Sequence, residues 1–484
     1  MGLLGILVAL GFLIWLAYRG WSILLLAPAA ALLAAAFARE PLLAHWTQTF
    51  MGNAAQFLAQ FFPLFLLGAL FGKLMDDSGS VSAIAHYMTE KLGPSRAILA
   101  VILAGAAVTY GGVSLFVAFF VLAPMAIELF RAAGIPRRLI PAAIALGTST
   151  FTMSALPGTP AIQNAIPMPF FGTTPFAAPG LGFIASAIML AFGLWWLQRE
   201  ETKAKQAGEG FGGGADNQTA ALAEDQFIRE RATAAREFDP AELPHGHKTD
   251  SLPPIWIAAL PLVVVVAVNL LMALIVLPRL DFSFLAEERW GSTSITAVGG
   301  VWSVAIALAT ATLVLVLINR QRLPALRESM DAGANASVLP ALSVASLVGF
   351  GAVVAMLPAF EAVRDWVLSI GGGVLVSLTV ATNVLAALTG SASGGLTIAL
   401  DALGETYMRL ASEQGIDPAL LHRVAVIGAG TLDSLPHNGA VVSLLAVCGS
   451  THRESYKDIV VVCIFGAMIA LVAVIVLGSL FGSF

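Results

Sequence analysis

Charged side chains are scarce in this 484-residue chain: Asp, Glu, Lys and Arg make up 11% of it, while 58% is apolar. A soluble domain carries roughly 25% charge. At this size, so little charge on a soluble molecule would leave large apolar patches in water, so the composition excludes a soluble enzyme and a disordered chain. An excess of basic residues is also missing. With 25 Lys and Arg against 30 Asp and Glu, the net charge is −5, which argues against nucleic-acid binding. Cysteine is nearly absent. Cys448 and Cys463 lie in apolar stretches and form no CxxC, so neither a disulfide framework nor a redox or metal motif is implied. His245-Gly246-His247 is too sparse for a metal site.

The charge that exists is concentrated. Residues 199–250 hold seven basic and eleven acidic side chains, and the rest of the chain is almost neutral. A spanning helix needs about 20 mostly apolar residues, and such runs lie near 2–17, 21–37, 55–74, 181–198, 255–278, 294–318, 337–359 and 459–482. The first run lacks the basic lead and small-residue cleavage site of a signal peptide, and it reads as a membrane helix. The chain is therefore expected to be an all-α polytopic membrane protein with one polar insert, 199–253. Within the insert, Gly208–Gly214 is glycine-rich and Thr219–Phe238 has the pattern of an amphipathic helix. The insert reads as a linker between two halves.

Four regions are too interrupted for simple spans. Residues 97–130 and 368–410 carry turn-like centres, Thr109-Tyr110-Gly111-Gly112 and Gly390-Ser391-Ala392-Ser393-Gly394-Gly395. Residues 139–167 and 420–448 begin as helices and break at polar centres, Thr148-Ser149-Thr150 to Pro157-Gly158-Thr159-Pro160 and Thr431 to Pro436-His437-Asn438-Gly439. These regions repeat. At one constant offset Gly134-Ile135 aligns with Gly415-Ile416, Gly147 with Gly428 and Thr150 with Thr431, and after a two-residue gap Leu156-Pro157 aligns with Leu435-Pro436. Upstream, Gly111-Gly112-Val113-Ser114 aligns with Gly394-Gly395-Leu396-Thr397. Order and spacing together indicate an internal duplication, with residues 1–198 and 254–484 as the two repeats. Each repeat is expected to hold a re-entrant hairpin and a broken helix.

Loop charge gives the orientation, because Lys and Arg concentrate in cytoplasmic loops. The loop with Arg320, Arg322 and Arg327 is strongly basic. Counting spans from it places the 199–253 insert and the loop with Arg131, Arg137 and Arg138 inside. The repeat mate of that loop, Ala411–Ala419, has Glu413 and Asp417 and no basic residue, and the count places it outside. The repeats are thus expected to be inverted in the membrane, with both termini on the outer face.

Backbone that leaves helical geometry at membrane depth is tolerated only where protein buries it or it lines a cavity. Paired Gly/Pro-interrupted segments in two inverted halves point to a transporter's substrate site. The expected substrate-binding groups are Thr109, Tyr110, Gly111, Gly112, Thr148, Ser149, Thr150, Thr152, Gly158, Thr159 and Asn164 in one half. In the other they are Ser391, Ser393, Gly394, Gly395, Thr431, Ser434, His437 and Asn438. Lys73, Arg409 and Arg423 fall near span ends on these boundaries, so an anion would rely on hydroxyls, amides, backbone N–H groups and His437. That inventory suits a small hydroxy or polyhydroxy acid. Ionisable residues inside a span are costly and are functional candidates. Asp433, with His437 one turn on, is the first choice for proton coupling, and Asp401 and Glu405, on one helix face, are the second. Asp433, Ser434 and His437 do not make a hydrolase, since they cluster within five positions and have no evident orienting partner.

The two half-motifs, Thr109-Tyr110 through Ala118 leading to Leu156-Pro157-Gly158-Thr159-Pro160, and Gly428 through Asn438, resemble those of the gluconate:proton symporter (GntP) family of bacterial inner-membrane permeases, within the ion-transporter superfamily. The resemblance covers most of the chain outside the insert. It implies an elevator-like carrier, dimeric, with a scaffold domain and a transport domain of two re-entrant hairpins and two broken helices. It also implies transport of organic anions with protons and no cofactor, the substrates being gluconate, other sugar acids, D-serine or short hydroxy acids such as 3-hydroxybutyrate. The gluconate carriers show a His-x-Asn-Asp-Ser-Gly pattern at the second break, where this chain has Thr431-Leu432-Asp433-Ser434-Leu435-Pro436-His437-Asn438-Gly439. That departure favours a smaller hydroxy monocarboxylate over gluconate. A sodium-coupled carboxylate carrier is the alternative within the class, with cation sites around Thr148–Thr150 and Thr431–Ser434.

Overall fold

The structure, a computed structural model, describes residues 2–19, 21–212, 239–249, 251–436 and 438–484. His437 and the Thr219–Phe238 segment lie outside the described residues. Within them the chain is all-helical. Seven helices are long and apolar enough to cross a membrane, and an eighth arises if the bent pair Ser80–Leu92 and Pro94–Tyr110 counts as one span.

The helices follow one another as α1 (Gly2–Tyr18), α2 (Ile23–Ala38), the long α3 (Leu42–Asp77), α4 (Ser80–Leu92), α5 (Ala97–Tyr110) and α6 (Leu115–Ala133). Next come α7 (Ile140–Thr148), the short α8 (Phe151–Ser154), α9 (Ile162–Ala165) and α10 (Pro167–Phe171), then α11 (Pro179–Gln206). The second half runs α12 (Ile255–Arg279), α13 (Ile295–Ile318), the long α14 (Leu326–Met356), α15 (Phe360–Leu368), α16 (Val374–Thr389), α17 (Ala392–Gln414), α18 (Pro418–Thr431), α19 (Gly439–Val447) and α20 (His452–Phe481). The order repeats: two apolar helices (the shorter α1 and α2, expected as spans, in the first half), a long helix with an internal proline (Pro63, Pro340), a short helix, a helix–turn–helix, a broken helix and a final span. The short amphipathic α4 and α15 were not legible as spans, because each buries only one face and is too short to cross.

The aligned residues do the same work in both halves. Gly134 ends α6 and Gly415 ends α17, each left-handed at φ 66°. The next N–H, on Ile135 or Ile416, turns back to Phe130 O or Ala411 O. Only glycine adopts that conformation without strain. Gly147 lies against Ile102 O of α5 and Gly428 against Thr382 Oγ1 of α16, so each broken helix meets the first arm of its own hairpin where a Cβ has no room.

Packing sorts the helices into two groups. In one, α3 and α14 run side by side, with Gly333 facing Leu70 Cα and Gly349 facing Phe50 O. Small residues permit this close approach where lipid offers no hydrophobic drive. The long helix of each half also packs on a span of the other: α14 on α2, α3 on α13. The second group holds the hairpins, the broken helices, α11 and α20. Trp15, Trp21, Trp195 and Trp256 are exposed, as expected of side chains anchoring at a bilayer interface.

Part of the insert is structured. α11 continues to Gln206, and residues 239–249 lie on the ends of α3 and α14. There Lys73 pairs with Asp77 at 2.9 Å and donates to Leu243 O, Lys248 pairs with Asp76 at 2.6 Å, and the Asp239 N–H reaches Ala336 O. Lys73 is thus capped by protein and fully buried, not free at a helix end.

Candidate functional site

The first hairpin turns at Gly111–Val113, where Gly112 takes φ 98°, and Ser114 caps α6 by accepting from Phe116 N at 3.4 Å. The second turns at Gly390, and Ser391 caps α17 by accepting from Gly394 N at 3.1 Å. Ser114 and Ser391 are therefore the equivalent tip residues. The sequence alignment of Gly111-Gly112 with Gly394-Gly395 is shifted, because Gly394 and Gly395 already lie inside α17, against Leu347 and Ala386.

The first break faces the first tip. Tyr110 Oη donates to Pro157 O at 2.7 Å, and Thr109 Oγ1 lies 3.3 Å from Thr152 Oγ1. Thr109, Gly112, Thr148 and Thr152 line a cavity with Ser114, Leu115 and Gln163, closed by Leu64, Phe65 and Gly68 of α3 and Leu308 of α13. Gly111 lies outside it, against Leu262 of α12. Thr148 also meets Ser149 Oγ at 3.2 Å, Thr159 Oγ1 accepts from Ala161 N, and Gly158 O accepts from Asn269 of α12 at 3.0 Å.

The second break closes onto the second tip. Asp433 Oδ1 accepts from Ala392 N, the first N–H of α17, at 2.8 Å and from Asn438 Nδ2 at 2.6 Å. Asn438 also donates to Gly390 O, and Ser391 and Ser393 share a hydrogen bond at 3.2 Å. A carboxylate at a helix N-terminus meets unpaired N–H groups and the positive end of the helix dipole. Ser434 O receives the Tyr456 hydroxyl. Asp401 and Glu405 are not drawn into this cluster. They sit further along α17 and are exposed.

Several expected ligands are internally engaged. Thr109, Thr148, Thr150 and Thr431 each donate back to the carbonyl four residues earlier, at 2.8, 2.8, 2.6 and 2.7 Å. Such back-bonding bends helices, and it leaves oxygen lone pairs for the site.

Sequence reasoning missed Arg423. It is fully buried in α18, not at a span end. Its guanidinium donates to Ala177 O at 2.7 Å, Ser154 O at 3.2 Å and Asn164 Oδ1 at 3.5 Å, with no carboxylate partner among the described residues. The neighbouring His422 bonds Asn164 Oδ1 and Thr173 Oγ1. Asn164 completes the knot by donating to Thr159 O and Pro175 O. The available signal was an adjacent His-Arg pair inside an otherwise apolar helix. Gln163, Ser114 and Asn269 were also missed, because an isolated amide or hydroxyl carries no pattern.

Helical hairpins and discontinuous helices, buried together inside an apolar helical shell, are the architecture of a membrane transporter. The chain belongs to the GntP permease family. The family profile, GntP family permease, matches residues 1–170. An uncharacterized transporter of Bacillus subtilis (strain 168), YxjC, is 40% identical over 489 residues, covering 100% of both chains. The high-affinity gluconate transporter of Escherichia coli (strain K12) is 35% identical over 127 residues, 25% of this chain and 27% of that one. Among solved structures, MtrF of Neisseria gonorrhoeae, described as illuminating a class of antimetabolite efflux pumps, shares the fold at TM-score 0.52 and 14% identity, covering 90% of this chain and 85% of that one. The family and these relatives are permeases and transporters, not enzymes.

Proposed function

We propose that the protein is a secondary active transporter that imports a small organic anion by proton symport. The substrate is a hydroxy monocarboxylate such as 3-hydroxybutyrate, or a sugar acid such as gluconate. The observation that carries this reading is the meeting of each hairpin tip with a broken helix, one of the two meeting points opening on a polar-lined cavity. The buried Arg423, without a carboxylate partner among the described residues, makes the surroundings of the first break electropositive and favours an anion. The partial likeness to a gluconate transporter supports a sugar acid or a smaller relative of one.

On this reading Asp433 exchanges the coupling proton. Protonation would remove the negative charge that holds the α17 N-terminus, so binding of a proton and loosening of the second tip are one event. His437, four residues on in the sequence, remains part of the proposal. The repeats are inverted, with both termini outside and the 199–253 linker cytoplasmic in a bacterial inner membrane. Contacts support that sidedness. Arg137 bonds Cys448 O and Arg138 pairs with Glu209 and Asp458, gathering segments assigned to the cytoplasm. Ser483 bonds Asp417, and Gly180 N bonds Phe484 O, gathering segments assigned to the outside. The hairpin group moves against the α2–α3–α13–α14 group as an elevator, within a homodimer.

Uptake of labelled 3-hydroxybutyrate and gluconate into proteoliposomes, under separately imposed proton and sodium gradients, tests the reading. An inward proton gradient should drive accumulation above equilibrium. Accumulation under a sodium gradient alone would instead make it a sodium-coupled carrier, and downhill flux without counterflow would make it a channel.

A further inference from the structure

The two hairpin tips are built alike, yet among the described residues a carboxylate of the chain reaches one and not the other. At the second tip, the N-terminus of α17 is neutralised by the carboxylate of Asp433, 2.8 Å from Ala392 N. At the first tip, the residue in the corresponding place is Thr152, which follows Gly147 by the same interval that Asp433 follows Gly428. Thr152 is neutral, and its hydroxyl donates to Gly147 O at 3.0 Å. Among the described residues no carboxylate reaches Leu115 or Phe116, which open the 19-residue α6. Instead Ser114, Leu115 and Thr152 face the cavity.

A second observation lies across that cavity. Gln163 is 2% exposed, lines the same cavity, and its Oε1 has no hydrogen-bond partner among the described residues. Burying an acceptor without a partner costs its full desolvation, so its retention calls for a donor from outside the chain.

We infer that the substrate's carboxylate binds at the N-terminus of α6, in the place that Asp433 fills at the second tip, and that Gln163 accepts a hydrogen bond from the substrate's hydroxyl. Asp433 is thus the chain's own surrogate for a substrate carboxylate. The two observations together specify the ligand class as hydroxy monocarboxylates: one anionic group for the helix terminus, and one hydroxyl across the cavity for the amide. This assignment deepens the functional reading above and rests on it.

The test places a second surrogate carboxylate at the first tip. In full-length protein reconstituted in proteoliposomes, Thr152→Asp should lower counterflow of labelled 3-hydroxybutyrate and gluconate by at least about tenfold, the loss expected when a charge-assisted hydrogen-bond site is taken. Thr152→Asn, similar in size and uncharged, should exceed the Asp variant by a similar factor. Leu115→Pro supplies an independent variant, because proline is tolerated at the first helical position but removes the N–H. It should weaken binding of both acids, and it decides the matter if Thr152→Asp does not fold. In Gln163→Leu, butyrate should approach 3-hydroxybutyrate as a competitor. Wild-type counterflow of both acids in Thr152→Asp, equal losses in the Asp and Asn variants, or unaltered affinity in Leu115→Pro would each overturn the assignment while leaving the transporter reading in place. If the wild type handles neither acid, the reading fails and the assignment falls with it.

Discussion

At the scale of single residues, Asp433 shows how one side chain serves both structure and transport. Its carboxylate joins Ala392 N and Asn438 across more than forty residues of chain. Asp433→Asn keeps the size and removes the charge. It is expected to abolish proton-driven accumulation while retaining counterflow, and to lower stability by about 1 kcal/mol through the weakened helix-terminus contact. A pH series of uptake alongside a thermal melt separates the two effects, and wild-type pH dependence in the variant would remove Asp433 from the coupling step. Asp433 was legible in the sequence because a carboxylate in an apolar segment is conspicuous. Arg423 was not read correctly, because its burial depends on Ala177, Ser154 and Asn164 of the other half supplying its hydrogen-bond acceptors. No local pattern announces partners so distant. The hydroxyl inventory was found residue by residue, but not its allocation: which threonines bond back to the helix and which face the cavity depends on backbone geometry.

At the scale of elements, the matched glycines carry the duplication. Gly147 and Gly428 each let a broken helix press on the first arm of its hairpin. Gly147→Ala and Gly428→Ala should each cost about 1–3 kcal/mol by overpacking and reduce uptake with stability, measured by thermal unfolding and transport in parallel. Gly134→Ala, at a left-handed helix end with open space around its Cβ position, should cost only about 1 kcal/mol. Loss of transport on that scale at Gly134 and not at Gly147 would contradict the packing account. The helix–turn–helix pairs and broken helices were legible because Gly, Pro and hydroxyl residues interrupt otherwise continuous apolar runs. The alignment of the two tips was shifted by a few residues, although the second turn itself lies at Gly390, within the expected centre. A glycine pair reads the same in a turn as inside a closely packed helix, where Gly395 is needed because Ala386 presses on it.

At the scale of the whole molecule, the elevator proposed above would carry the hairpin group past the α2–α3–α13–α14 group. Asn269 of α12, a span packed on α13, donates to Gly158 O in the first break, a contact that such movement would have to remake. Asn269→Leu removes this donor and should lower stability by about 1–3 kcal/mol and change the rate of uptake, measured by thermal unfolding and transport in parallel. An unaltered uptake rate in a folded Asn269→Leu protein would show that this contact is not remade during transport.

The amino-acid sequence by itself determined the membrane class, the all-helical architecture, the duplicated order of elements and the place of the breaks. These follow from local quantities: the length of apolar runs, the positions of Gly and Pro, and the sign of loop charge. Only the tertiary structure decided that one hairpin tip is closed by Asp433 while the other opens on a cavity, that Arg423 is buried among carbonyls, and that Gln163 lines that cavity with a buried acceptor unpartnered among the described residues. Each of these is a relation between segments far apart in the chain. Which polar group finds a partner inside the protein, and which is left for a ligand, is settled only when those segments pack.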